Sequence, residues 1–151
     1  MLPSRRRGTS SDAFWRHSPL ATFGFYENVA TAVVLALKSL AFPVVHSTEF
    51  LERGTPDDVL FKAFAARGYF LVTQDQNMSR KKHQRAAMLS LGLGAFIFTG
   101  RASRSNPEFA LLLLQSFGEI AQRADVTTRP FIFGISDRRH FERQDSARRR
   151  K

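Results

Sequence analysis

The amino-acid sequence predicts an α/β fold, a three-layer sandwich built on a mostly parallel sheet of roughly five strands. Three observations carry this prediction. Short apolar runs recur at Thr22–Tyr26, Val44–His46, Tyr69–Thr73, Ala95–Thr99 and Phe131–Ile135. The stretch between each pair is long enough for a helical crossover, which parallel strands require. The run Tyr69–Thr73 (Y-F-L-V-T) is unbroken, as in a strand covered on both faces.

Each element has its own local reason. Thr22–Tyr26 is rich in aromatics and too short for a helix. From Asn28 to Ala41, residues Val29, Ala30, Val33, Val34, Leu37, Leu40 and Ala41 share one helical face, and Phe42-Pro43 ends it. Thr55-Pro56-Asp57-Asp58 reads as a helix start, with a hydroxyl cap, a proline at the first helical position and an acid three residues after the cap. The helix it opens repeats Val59, Leu60, Ala63 and Phe64 and stops at Gly68. Arg80 to Leu91 is expected to be helical before Gly92-Leu93-Gly94, and Ser105-Asn106-Pro107-Glu108 is a second capping box before the stripe Phe109, Leu112, Leu113, Phe117 and Ile120.

Composition narrows the function classes. The 151 residues suit one domain, and 43% hydrophobic residues with 15 Phe can fill its core. The absence of cysteine excludes disulfides, Cys-ligated zinc, thiolate catalysis and iron–sulfur clusters. No apolar run approaches the roughly 20 residues of a membrane helix, and the first twenty residues lack a secretory apolar core, so no membrane contact and a cytoplasmic location are expected. The net charge of +10 is concentrated at the two ends. Residues 1–20, with four arginines and one acid, read as a basic extension, and residues 138–151, with seven cations and two acids, as a basic tail. Residues 21–137 form the domain, nearly balanced in charge, and must carry the function.

In an open parallel sheet, ligands bind beyond the carboxyl ends of the strands. Acids gather at those positions: Glu27 after the first strand, Glu49 after the second, Asp57 and Asp58 at a helix start, and Asp75 after the third strand. No glycine-rich loop follows the first strand, which disfavours nucleotide cradles, and no Gly-x-Ser-x-Gly elbow supports serine hydrolysis. Converging carboxylates suit Mg²⁺ or Mn²⁺, which take hard oxygen ligands. A cation would also relieve a repulsion of about 4 kcal/mol per pair at about 4 Å and an effective dielectric near 20. Plainer readings stand beside this one: Asp58 as the acid of a capping box, Asp57 as a helix-dipole partner, Asp75 as a turn former. Arg80, Lys81, Lys82 and Arg85, with Asn77, follow Asp75 and offer cations to a phosphodiester backbone, or simply a solvated helix face. The four histidines show no ligand spacing, and only His46 lies at this edge.

The segments F-G-F-Y-E-N (23–28), H-S-T-E-F (46–50), R-G-T-P-D-D (53–58), L-V-T-Q-D-Q (71–76) and F-I-F-T-G (96–100) together resemble the PIN-like domains related to VapC toxins of toxin–antitoxin modules, over roughly residues 22–135. The resemblance implies a metal-dependent endoribonuclease whose acids hold Mg²⁺ or Mn²⁺. Asp57 and Asp75 match family acids, Glu27 matches the Glu of Asp-Glu-Asn, Thr73 matches a supporting hydroxyl, and Glu49 matches less closely. The implied partners are an RNA substrate and a cognate antitoxin that masks the acidic edge, with homodimers or toxin–antitoxin hetero-oligomers as assemblies. One departure is serious: Tyr26 stands where the family has its first Asp. A phenol is neutral at pH 7 and longer than the carboxylate it replaces. The readings left open are a naturally degenerate toxin, an inactivated variant, a site rebuilt around Glu27 and Glu49, or a non-catalytic module that binds RNA or protein.

Overall fold

The computed structural model describes residues 21–100 and 104–145. Six strands, β1 (Phe23–Phe25), β2 (Val44–His46), β3 (Phe70–Thr73), β4 (Gly94–Phe98), β5 (Phe131–Ile135) and β6 (Phe141–Arg143), form one sheet in the order β2-β1-β3-β4-β5-β6. Every pairing from β2 through β5 is parallel, and β6 closes the edge antiparallel to β5. The helices are α1 (Thr31–Ser39), α2 (Asp57–Arg67), α3 (Asn77–Arg80), α4 (Lys82–Ser90) and α5 (Asn106–Val126), and a single 3₁₀ turn, Ser47–Glu49, follows β2. Among the described residues, no helix is long and apolar enough to cross a membrane.

Side-chain alternation along the strands builds the two outer layers. Phe23, Phe25, Phe70, Val72, Phe96, Phe98, Phe131 and Phe133 face one way, against α1 and α5. Their rings form a continuous aromatic array, with Phe23 stacked on Phe70 at 5.2 Å and Phe96 on Phe133 at 5.8 Å between centroids. Leu71, Ala95, Ile97 and Ile132 face the other way, against Leu60, Phe61 and Phe64 of α2 and Met88 of α4. The sheet is thus buried on both faces, the three-layer α/β sandwich expected from the sequence.

Several local expectations change. The start of α2 is not capped by Thr55: its hydroxyl donates backward to the Glu52 carbonyl at 2.5 Å, and Pro56 sits at the cap with no side-chain bond. Asp58 therefore closes no capping box. The buried stripe of α2 is Leu60, Phe61 and Phe64, while Val59 is 45% exposed, because the helix turns its two phenylalanines onto the sheet. The helix expected from Arg80 starts earlier and is interrupted at Lys81, whose extended backbone separates α3 from α4. The Ser105 box is present in both directions, Glu108 N–H to Ser105 Oγ at 3.2 Å and Ser105 N–H to Glu108 Oε1 at 2.8 Å.

Part of the supposed basic tail belongs to the sheet. Phe141 is buried against Phe133, and the Arg123 guanidinium of α5 lies 4.9 Å and 4.8 Å from their two ring centroids. One aromatic in a charged run has no period to reveal it, so β6 leaves no sequence signal.

Gly24 of β1 sets how closely α2 packs on the sheet. A Cβ there would lie 2.5 Å from Cε2 of Phe64, so the missing side chain lets α2 settle directly on β1 and fixes the approach of Asp57 to Tyr26. Gly24→Ala is expected to cost about 1–3 kcal/mol through overpacking, read as a lower urea midpoint with unchanged slope. The same change should cost less in a Phe64→Leu background.

Candidate functional site

The order β2-β1-β3-β4-β5 places the reversal of winding between β1 and β3, where a crevice opens beyond the strand ends. Tyr26 follows β1 there, its N–H extending the ladder to the Val72 carbonyl at 3.0 Å. Its hydroxyl crosses to α2 and donates to Asp57 Oδ1 at 2.9 Å. The second oxygen of Asp57 accepts from the Gln84 amide of α4. One carboxylate thus ties a strand end to two helices through two uncharged donors. Burial, then the Asp57 bond and charge, then the charges of Glu27 and Asp75 push the Tyr26 phenol well above the ordinary tyrosine value. The hydroxyl stays protonated and acts as a donor among acids.

The other acids are positioned by the backbone. Both oxygens of Glu27 accept the Gly54 N–H, at 2.9 and 3.2 Å. Asp75 Oδ1 accepts the Asn77 N–H at 3.0 Å, and the Asp75 N–H donates to the buried Thr73 hydroxyl at 3.0 Å. Thr73 in turn donates to Asn28 Oδ1 at 3.2 Å, linking the ends of β3 and β1. Thr73 therefore holds Asp75 and Asn28 in place, and Asp58 lies exposed on the first turn of α2.

Glu49 stands apart, beyond the outermost strand β2. It accepts from Lys38 of α1 at 2.5 Å and from the His46 N–H at 2.8 Å. Burial raises its pKa, but the Lys38 and His46 bonds outweigh that and hold it below the usual glutamate value. His46 is buried, with Nε2 2.7 Å from the Val29 carbonyl and Nδ1 taking the Thr48 N–H at 3.2 Å, which assigns the ring proton to Nε2. This histidine is a structural pin.

The acids around Tyr26 do not form a metal pocket in this arrangement. Among the described residues, no group of three or more His, Asp or Glu side chains is disposed to hold a metal ion. Both Asp57 oxygens are engaged by Tyr26 and Gln84, Glu27 is turned to Gly54, and the Tyr26 phenol is a donor in its bond to Asp57, where a metal ligand would have to accept. The Mg²⁺ or Mn²⁺ implied by the sequence resemblance finds no ready set of oxygen ligands here.

The cations lie where their sequence position suggested. Arg80, Lys81 and Lys82 are exposed beyond Asp75 with Asn77, and Arg85 is half-buried. Arg80 Nη2 donates to Gln76 Oε1 at 2.8 Å, and Arg85 Nη1 to the Ser79 carbonyl at 2.9 Å. Two features had no sequence signal. Gln84 is one polar residue on a helix, and its contact with Asp57 depends on how α4 packs on α2. The Arg104 side chain, 3% exposed, bonds Asp137 at 2.6 Å, Gln74 Oε1 at 3.2 Å and the Thr99 carbonyl, clamping the ends of β3, β4 and β5 together. The basic extension at 1–20 and residues 146–151 lie outside the described residues.

Because the folded state holds the Tyr26 proton more tightly than the unfolded chain, its contribution is complete below pH 10 and declines as the pH rises above it. The stability difference between the wild type and Tyr26→Phe, measured by urea unfolding, is expected to be about 1–2 kcal/mol near neutrality and to shrink above pH 10. A difference independent of pH from 8 to 12 would contradict the donor role.

Comparison with known proteins addresses the ancestry of this site. No curated protein and no solved structure matches the chain. The family model described as PIN like domain matches residues 22–100, just over half of the sequence, spanning β1 through β4 and every acid around Tyr26. With that match, and with the three-layer sheet that carries it, the chain belongs to the PIN like domain family.

Proposed function

We propose that this chain is an RNA-binding PIN-like module, a degenerate relative of the metal-dependent endoribonucleases of toxin–antitoxin modules, which retains strand binding without cleavage. The nuclease-type fold supports an ancestry in phosphodiester chemistry. The observation that carries the reading is the Tyr26 hydroxyl bonded to Asp57 at 2.9 Å. A carboxylate at that point would face Asp57 as a like charge and require a cation between them. The phenol meets the same carboxylate with a hydrogen-bond donor instead, so the site is satisfied without an ion. Cations remain next to it: Arg80, Lys81, Lys82 and Arg85 flank Asp75, where a phosphate backbone would be met electrostatically and without sequence preference.

A second reading is favoured by one observation. Glu27, Asp57 and Asp75 all act electrostatically on the Tyr26 hydroxyl, which supports a reading in which three acids share one edge. In that reading the chain is itself the Mg²⁺- or Mn²⁺-dependent endoribonuclease of a toxin–antitoxin pair, and a cognate antitoxin or a second copy of the chain covers this edge.

Incubation with single-stranded RNA separates the two. The wild type is expected to bind RNA equally in Mg²⁺, Mn²⁺ and EDTA and to leave it intact, with affinity falling steeply as salt rises. Tyr26→Asp is expected to acquire Mn²⁺ binding, seen as a metal-dependent rise in melting temperature. Cleavage by the wild type that EDTA and Asp57→Asn both abolish would replace the first reading with the second.

A further inference from the structure

Helices α1 and α5 pack side by side over the aromatic face of the sheet, and their outer sides carry little charge. A helix facing water ordinarily presents charged or polar side chains there. On α1 the exposed residues are Thr31, Ala32, Leu35, Ala36 and Ser39, and its one cation, Lys38, is held by Glu49. On α5 no charge stands between Glu108 and Glu119. Among the described residues, every large hydrophobic side chain left exposed, apart from Val59 of α2, belongs to α1, to the turn that ends it or to α5. Leu40 is 56% exposed, Leu111 55% and Leu114 41%. Leu114 lies one turn from Phe117, whose ring meets that of Phe42 at 4.7 Å between centroids, so Leu114 borders the seam with α1 and Leu111 lies beside it. Val34 and Lys38 share a pocket with His46 and Glu49 at the outer edge, which leaves Ala36 and Leu40 on the opposite flank of α1, toward α5. Exposed apolar side chains gathered on one face mark a surface that something covers.

The chain itself supplies an occupant. Ala21 is packed against the same core cluster, and the Phe23 N–H bonds the Pro43 carbonyl at 3.0 Å, so the residues before Ala21 join the domain beside the end of α1. The eight residues that precede it, A-F-W-R-H-S-P-L, include Phe14, Trp15 and Leu20 and no acid. We propose that the uncharged face of α1 and α5 is the docking surface for this chain's own residues 13–20, with Phe14 and Trp15 against Leu111 and Leu114. The reach suffices, because the stretch from Trp15 to Ala21 spans up to about 20 Å when extended, and Phe117 and Leu111 are separated by only about 9 Å of helix rise. Two adjacent aromatics bring a large apolar area at little cost in side-chain freedom. So short a tether keeps the segment at a high effective concentration, and a modest contact then outcompetes outside partners. The inference is independent of the RNA-binding reading, and α5 lies outside the matched family segment.

Trp15 is the chain's only tryptophan, so its fluorescence reads the segment directly. In the full chain, native emission is expected to lie to the blue of that in urea, with acrylamide quenching several-fold weaker. Leu111→Lys/Leu114→Lys is expected to raise quenching several-fold, toward the urea value, while circular dichroism keeps the native helix content. Leu40→Lys should act in the same direction from the α1 side, which keeps the test valid should the double variant unfold. Val59→Lys, on the other side of the sheet, should leave Trp15 unchanged. Native quenching equal to that in urea overturns the proposal, and so does protection that survives both Leu111→Lys/Leu114→Lys and Leu40→Lys. Protection lost on dilution, with sedimentation velocity showing a dimer giving way to a monomer, overturns the chain's own segment as occupant and assigns the face to a second copy.

Discussion

A neutral hydroxyl bonded to one carboxylate, with two more nearby, is the constraint on which the rest of this site depends. Glu27, Asp57 and Asp75 converge because the winding of the sheet reverses between β1 and β3, bringing the ends of those strands and the start of α2 to one crevice. Convergence alone would be unfavourable, since like charges in a partly buried crevice repel by several kcal/mol when close. Tyr26 resolves this by donating to Asp57, while Gln84 takes the other oxygen and Gly54 satisfies Glu27. Each acid is answered by an uncharged donor, and no ion is needed to hold the edge together.

The scaffold that permits this is built from size differences across the sheet. Phenylalanines fill the face toward α1 and α5, where the long helix α5 spans the aromatic array. The opposite face carries smaller side chains, and at Gly24 none at all, so α2 lies close enough for Asp57 to reach Tyr26. The depth of the hydrophobic packing on one side of β1 thus sets a polar distance at its end. Arg104 performs a related task at the other end of the crevice, where its buried guanidinium bridges residues after β3, β4 and β5. The two arrangements fix the strand ends around the crevice.

Charge distribution changes in meaning once the chain is folded. Along the sequence, the excess of cations sits at the termini, and the central segment looks nearly neutral. In three dimensions, Glu142 and Gln144 from the supposed tail line a cleft with Arg80 and Arg85, while the acids around Tyr26 occupy the neighbouring crevice. A basic surface and an acidic one therefore adjoin at Asp75. Distribution along a chain gives no such neighbourhoods, because residues 80 and 142–144 come to line one cleft only through the antiparallel return of β6 to the sheet edge.

The sequence by itself determined the layered α/β architecture, the five parallel strands and the location of the acids at strand ends. These follow from short-range rules: period-two and helical apolar patterns, proline and glycine stops, and the capping box at Ser105. It also singled out Tyr26, the phenol that directly precedes Glu27 after the first strand, because a residue type at a strand end is visible without any structure. Tertiary structure alone decided what each acid does. Glu49 reads like its neighbours in the sequence, yet it is bound to Lys38 on the outer edge, whereas Asp57 is held by Tyr26 and Gln84. The start of α2, the break at Lys81 and the strand β6 were likewise set by packing. Hydrogen-bond partners many residues apart are chosen by how helices seat on the sheet, and that seating depends on shapes on both faces at once, which no local pattern encodes.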